Sequence, residues 1–541
     1  MSCRAGPLPY TGWTSCGWQC ARALHRWHAG SRSFCGRRRG SGHFRQGGRV
    51  GLCFRQRAAH SNRAWAPRGI DGRQRNRGDS RVTLSRNIVR RWRNLRDAPI
   101  PDAVCAAARL HMLDIVGVGV AASSTPQGEP YRRFSAGGEG KISLLNGGTL
   151  ASAADAALVN GGLIHSLEFD DTHTGSIVHG SAVLVPTVLA VAQDRAVAPE
   201  AALRAYILGY EVLIRIGLAA QGGFQRNGFQ ITSVAGSLVA ALMAAELMGA
   251  DEDASVHAMG IALSQASGVF EFLSNGSSVK SMHPGWAAHA GILAARLAIA
   301  GLTGPETAIE GTRGLFAAFA RDDAAPARLA ALLADLGSTW HMADVAFKFL
   351  PCCHYLHPFV EAAGKLAGEI RDPTGISELV LRIAPGAAPI VCEPWSDKLD
   401  PPDGHAARWS LPIAVAARFI DGKVDLDTFA AKAFPAVLAL AAKSRWEPLE
   451  PNRFPQAFEA EILCHLADGR TLSARIDDVF GNASRPANEI DVLAKFRANA
   501  ARQLPVTAIQ ALETFFLVTG ACDFSPLAEA LATGAQQGSS P

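Results

Sequence analysis

Between Pro101 and Ala300 the chain repeats one pattern: alanine, leucine and valine recur at 3.6-residue spacing through seven segments, about 101–116, 152–167, 183–194, 200–220, 233–247, 254–267 and 284–300. That succession predicts an all-α domain, and its many alanines imply closely approaching helices, because small side chains shorten the interaxial distance. Pro101 and Asp102 suit the first turn of the first helix, where a missing N–H costs nothing and an acid complements the dipole. The pattern changes after Trp340. Residues 379–383 read as a strand, and 458–466 with 471–476 read as a hairpin turning at Asp468-Gly469. Helices are expected between them at about 358–369, 406–420 and 426–442, and three more at about 489–503, 507–517 and 526–533.

A chain of 541 residues has room for two or more domains. The expected fold is mainly α: a large all-α helical domain over 85–344, a smaller α+β domain over 345–482, and C-terminal helices over 483–534 that return to the all-α domain. Residues 535–541 are expected to be a disordered tail, and 1–84 a disordered basic extension. Residues 1–80 hold sixteen Arg, no Lys and two Asp, a charge of +14 that leaves −9 for the rest of a +5 chain. The basic balance therefore belongs to the extension, and the body offers no case for nucleic-acid binding. Trp13, Trp18, Trp27 and Trp65 follow no helical or strand period there, and Cys16-x3-Cys20 with His25 and His28 matches no common zinc finger. A targeting peptide would share the Arg-rich, acid-poor composition but would be amphipathic and shorter. The preferred reading is an upstream extension set by a start codon placed too early.

No apolar run reaches the roughly 18 residues of a membrane span, so no membrane partner is expected. The six body cysteines, Cys105, Cys352, Cys353, Cys392, Cys464 and Cys522, are too sparse for a disulfide framework and fit a reducing, cytoplasmic setting.

Chemistry concentrates in residues 163–180, where Glu168, Asp170, Asp171, Thr172, His165, His173 and His179 lie between two apolar helical runs. Acids this close repel one another and need a metal, a cation or catalytic use to hold them together; the bland alternative is a solvated capping loop. Asp170, Asp171, His173 and His179 include ligand types, but their spacing matches neither the zinc motifs nor the calcium loop. No metal and no cofactor are expected. Three further stretches also stand just before helix starts: 227–233 with Gln230 and with Thr232 or Ser233 as cap, 277–284 with Lys280 and His283, and 347–354 with Lys348. Unpaired N–H groups at helix starts favour anions, and four such places suit a polycarboxylate. Only nine lysines occur in the chain, and Lys280 and Lys348 sit in apolar or small-residue surroundings; the competing reading is a surface lysine that snorkels. Cys352-Cys353 with His354 and His357 reads as a buried helix start. No Walker motif, dinucleotide fingerprint or nucleophile elbow occurs.

His-Ser-Leu-Glu-Phe-Asp-Asp-Thr-His (165–173), Lys-Ser-Met-His-Pro-Gly (280–285) with Ala-Ala-Arg-Leu-Ala (294–298), Asp-Val-Ala-Phe-Lys (344–348) with Pro351, and Lys-Phe-Arg-Ala-Asn-Ala-Ala-Arg (495–502) together resemble the MmgE/PrpD family. That family includes 2-methylcitrate dehydratase, cis-aconitate decarboxylase and iminodisuccinate epimerase, and the resemblance spans about 85–520. It implies a large helical domain built from both ends of the body, an α+β lid, a homodimer, and a metal-free site between the domains. Its acidic motif falls on Glu168 through Thr172, its histidine on His179, and its lysines on Lys280 and Lys348. Three departures stand out: Glu168 where some decarboxylases carry Asp, a loop from Thr172 to His179 one residue longer, and Gln230 where the decarboxylases carry histidine.

The resulting expectation is a lyase for a small di- or tricarboxylate, first a 2-methylcitrate dehydratase-like hydro-lyase, then a cis-aconitate decarboxylase-like carboxy-lyase or an epimerase. From another class, the alternative is an inactive carboxylate-binding protein. Asp171, Thr172, His179, Lys280 and Lys348 are the expected catalytic residues, with Glu168, Asp170, Gln230 and His283 binding substrate. His179 would move the proton, with Asp170 or Asp171 orienting an imidazole.

Overall fold

The computed structural model describes residues 82–370 and 372–537. The readings for 1–81, including the cysteine–histidine cluster and the early start codon, fall outside the described residues. Helices α1 (Leu84–Leu95), α2 (Asp102–Ser123), α3 (Ala153–His165), α4 (Ser181–Arg195), α5 (Pro199–Ala220), α6 (Ile231–Leu247), α7 (Glu252–Leu263) and α8 (Met282–Ile299) build the first hydrophobic core. α1 was not anticipated as an element. Thr83 caps it, its Oγ1 accepting from the N–H of Arg86 at 3.3 Å, so Thr83 and Leu84 belong to the fold and not to the extension. α2 is the one described helix long and apolar enough to cross a membrane, and most of it is buried here among the other helices.

The second core gathers helices α9 (His357–Ala367) and α10 (Leu411–Ile420) over a four-stranded sheet of β1 (Ile376–Ile383), β2 (Ser444–Pro448), β3 (Ala460–Leu466) and β4 (Thr471–Ile476). The strand order is β2-β1-β3-β4, with β1 parallel to β2 and antiparallel to β3. Period-2 alternation turns Ala460, Ile462, Cys464 and Leu466 into the core. The opposite face carries Arg382 between Glu447 (3.0 Å) and Glu461 (2.9 Å). The chain returns to the first core in α11 (Glu489–Ala500), which packs on α2, and in α12 (Val506–Leu517) and α13 (Ser525–Gln537).

Three expectations need correction. The helix expected at 406–420 is broken: a short turn at Gly404–Ala407 ends before Ser410, whose Oγ accepts from the N–H of Ile413 and caps α10 with Pro412 in its first turn. The helix expected at 426–442 is reduced to Pro435–Ala441, because Pro435 has no N–H to continue a helix from Asp427, and it leads into the unanticipated strand β2. The last helix runs to Gln537, three residues into the expected tail. Cys105, Cys352, Cys353, Cys392, Cys464 and Cys522 are all free thiols.

One helix crossing sets the spacing of everything that follows. α3 and α8 meet backbone to backbone at Gly161 and Gly285, where a Cβ on Gly161 would lie 2.6 Å from the Cα of Gly285. α3 ends in His165 and α8 begins beside Lys280 and His283, so this contact fixes how far apart those side chains stand. Gly285→Ala would press its Cβ into the backbone of α3, including the Gly162 nitrogen at 3.0 Å. The expected cost is about 1–3 kcal/mol in urea unfolding; an unchanged midpoint would show that the crossing tolerates separation.

Candidate active site

The acidic stretch leaves α3 through Ser166 and bends at Glu168, whose φ of 53° is left-handed. A non-glycine residue there costs on the order of 1 kcal/mol or more, and the structure must hold it. It does so through three buried cations on three successive carbonyls. Arg408 Nη1 donates to Leu167 O (2.7 Å), Lys348 Nζ to Glu168 O (3.3 Å) and Lys495 Nζ to Phe169 O (3.0 Å). Arg408 also donates to Pro351 O at 2.6 Å, and Lys495 to the buried Asp114 at 2.8 Å. Neither Arg408 nor Lys495 was singled out individually in the sequence.

The Glu168 side chain points between two ammoniums. Lys280 bonds its Oε1, and Lys348 lies 3.9 Å from its Oε2. Burial pushes the Glu168 carboxyl up, but Lys280 and then Lys348 outweigh it and hold the pKa at about 2. Lys280 also lies 5.1 Å over the ring of Trp409 from the second core. Each lysine thus already faces a carboxylate, and the pair with Glu168 carries a net charge of +1 rather than +2.

His179 is fixed by its own neighbours. Its Nδ1 lies 3.0 Å from Asp171 O and 3.0 Å from Thr172 Oγ1, and its backbone N–H donates to Thr232 Oγ1 at 3.0 Å. A carbonyl only accepts, so Nδ1 carries the ring proton and Nε2 keeps the free lone pair. Burial, with Lys348 next, lowers its pKa to about 3 against the opposing pull of Asp170 at 3.9 Å. His179 is therefore a neutral imidazole at physiological pH.

Behind it runs a chain of polar groups. Asp170 Oδ2 accepts from His165 Nδ1 (2.7 Å), His165 Nε2 meets the Gln230 amide nitrogen (3.1 Å), and Gln230 Oε1 accepts from His283 Nδ1 (2.7 Å). With the carboxylate accepting, each hydrogen bond in the chain pairs one donor with one acceptor, while Asp170 Oδ1 has no partner among the described residues. Burial pushes the Asp170 carboxyl up, but His165 outweighs it and keeps it below the ordinary range. Asp170 thus orients His165 and not His179. Sequence reasoning named His165 but gave it no role.

A cavity of about 730 Å³ opens on these groups, and Glu168, Thr172, His179, Gln230, Lys280 and Lys348 all line it. Asp170, Asp171 and His283 do not. Asp171, expected among the catalytic groups, is fully buried in the wall: it accepts from the Ser181 hydroxyl and from the Ser181 N–H (3.3 Å), with His111 at 3.2 Å. The N-terminus of α4 is therefore taken by the protein's own carboxylate, which overturns the expectation that this helix start is open to a substrate anion. Thr232 and Ser233 are not caps either. Gln230 holds the N-cap position of α6, and Ser233 Oγ donates to His283 O at 3.0 Å.

Arg226 and His354 are among the lining residues that the sequence did not point to. Arg226, at the exposed end, donates to Gln221 O (2.7 Å), and no carboxylate pairs with it among the described residues. His354 was read as part of a buried helix start. It is buried and lines the cavity, and neither ring nitrogen has a hydrogen-bond partner among the described residues. An unpaired polar atom in a wall gives no local sequence signal. The candidate metal ligands are not gathered as a set. Among the described residues His173, His341 and Asp344 do bring ligand atoms within 4.8 Å of one another. However, His173 Nδ1 accepts from the Ser176 N–H (3.2 Å), which puts the neutral ring's proton on Nε2 and leaves no lone pair for an ion.

Burial holds His173, His179 and His357 down at about 3 and His283 at about 4, against 6.5 for a free histidine. The unfolded chain takes up protons below pH 6.5 and these folded rings do not, so stability falls as pH drops through 6.5. Each ring costs about 1.4 kcal/mol by pH 5.5, about 5–6 kcal/mol together. Glu168, whose pKa is depressed, adds its own loss only below about 4.5. Urea midpoints at pH 7.5 and 5.5 check this, and equal values would mean that the rings are charged in the folded state.

Residues 86–327 match the MmgE/PrpD N-terminal domain and residues 350–517 the MmgE/PrpD C-terminal domain. The chain is 30% identical to the cis-aconitate decarboxylase of Homo sapiens over 373 residues, 66% of this chain and 74% of that protein. It is 28% identical to that of Mus musculus over 447 residues (77% and 86%), and 26% identical to that of Aspergillus terreus over 454 residues (80% and 92%). With both halves matched in order and Glu168, Thr172, His179 and the two lysines gathered on one cavity, the chain belongs to the MmgE/PrpD family.

Proposed function

We propose that this protein is a lyase that decarboxylates an unsaturated polycarboxylate of the cis-aconitate type. The observation that carries the reading is the placement of Lys280 and Lys348 on the same cavity as the free Nε2 of His179. Loss of CO₂ breaks a carbon–carbon bond and leaves its electron pair on carbon, delocalised toward a remaining carboxylate. Two ammoniums fixed in a desolvated wall lower the energy of that charge by several kcal/mol. A bound polycarboxylate favours the imidazolium of His179, so Nε2 then holds the proton that the carbanion takes up. Thr172 and Gln230 supply hydrogen bonds that orient the substrate. The residues around the second core act as a lid, a role supported by Trp409 and His354 in the cavity wall.

A hydro-lyase reading comes second, favoured by one observation: the neutral His179 of the free site is a base, and dehydration begins by removing a proton next to a carboxylate. A second copy of the chain as partner is supported by the exposed Met282, Leu293, Leu297 and Ile299 along α8.

Proton NMR in deuterated water with cis-aconitate, citrate and 2-methylcitrate separates the readings. Decarboxylation produces CO₂ and a new deuterium-labelled alkene from cis-aconitate, dehydration consumes a hydroxy acid, and an inactive binding protein changes none of them. Lys280→Gln and Lys348→Gln should each lower kcat/KM about 100-fold or more. His179→Ala should lower kcat about 10²–10⁴-fold, and full activity in that variant would remove His179 from the mechanism.

A further inference from the structure

We infer that the substrate carries an apolar chain beside its carboxylates, an inference that rests on the lyase reading only for the identity of the charged end. Six carbons and six oxygens make up a cis-aconitate-type acid. Even at a whole water's share of about 30 Å³ per atom they would take up about half of the 730 Å³ cavity. The groups able to hold carboxylates are a small part of its lining. Much of the rest is hydrocarbon and aromatic.

On the side of the second core, Tyr355, Phe454 and Phe458 form one aromatic cluster. The Tyr355 ring stands 5.5 Å from Phe454 and 4.8 Å from Phe458, and the two phenylalanines are 6.1 Å apart. Ile390 adds to the same wall, and Leu218 and Leu273 line the cavity from the helical side. Leu273 is 47% exposed, an apolar side chain left in contact with water in the free protein. Apart from the Tyr355 hydroxyl, none of these surfaces can bond a carboxylate oxygen, and covering them with water is unfavourable. A bound alkyl chain would cover them, each added methylene gaining about fourfold in affinity while it remains inside the cavity.

Isothermal titration of the full-length protein with methyl-, butyl-, hexyl- and octylsuccinate tests the chain without requiring turnover. The expected result is a Kd that falls two- to fourfold per methylene up to at least hexyl, with a slope flattened in Leu218→Asn and Ile390→Asn. A Kd that is flat or rises with length overturns the inference, and the wild-type series decides it alone if either variant fails to fold. Turnover of cis-aconitate and of its alkyl-substituted analogues is followed in parallel by NMR. Tighter binding of longer chains without turnover of any acid would sustain the chain-binding cavity and sink the lyase. Turnover of cis-aconitate with a flat binding series would do the reverse.

Discussion

A carboxylate without solvent is the constraint around which this structure is arranged. Glu168 is buried and ionised, and a lone charge in that position would cost several kcal/mol. Lys280 and Lys348 make it tolerable, and the same two lysines are the groups that face the cavity. The backbone beneath is held in a left-handed turn by cations on the carbonyls of residues 167, 168 and 169. Charge compensation and backbone geometry are thus one device: Lys348 serves both, bonding the carbonyl of the residue whose side chain it neutralises.

The histidines show the complementary strategy. At His179 and His283 burial lowers the pKa and keeps the ring neutral, with its two nitrogens as one donor and one acceptor. His283, Gln230 and His165 donate hydrogen bonds in one direction, toward Asp170, so an uncharged amide sits at the centre of the polar wall. Gln230 has no proton to exchange at working pH, yet it sets which way both neighbouring imidazoles face. The helix start that was expected to attract substrate is instead committed to Asp171, which leaves the lysines and Arg226 as the cations that face the cavity.

Much of this was legible in the sequence, and the reasons for the remainder are physical. Helical periodicity in the first core is strong because almost every turn buries alanine or leucine, so most of its helices fall within a few residues of their expected bounds, although α1 was not expected and α2 runs on to Ser123, seven residues past its expected end. The second core is harder to read. Prolines at 412 and 435 break helices that composition alone would continue, and β2 is a short, half-exposed strand with charged residues and no clean alternation. At the site, Glu168, Thr172, His179, Gln230, Lys280 and Lys348 were recognisable by residue type and company. The division between cavity-facing and wall-facing acids was not, because Asp170 and Asp171 are adjacent and indistinguishable until their partners His165 and Ser181 are placed. Arg408 and Lys495 act through backbone carbonyls, which every residue possesses and no motif reveals.

The three cations that hold the Glu168 turn lie 180, 241 and 326 residues away from the carbonyls they bond. During synthesis the acidic stretch emerges from the ribosome long before Lys348, longer before Arg408, and longest before Lys495. Until Lys495 is made the turn lacks one of its three clamps. The turn that presents Glu168 is therefore complete only when residues from distant parts of the sequence have been brought to it.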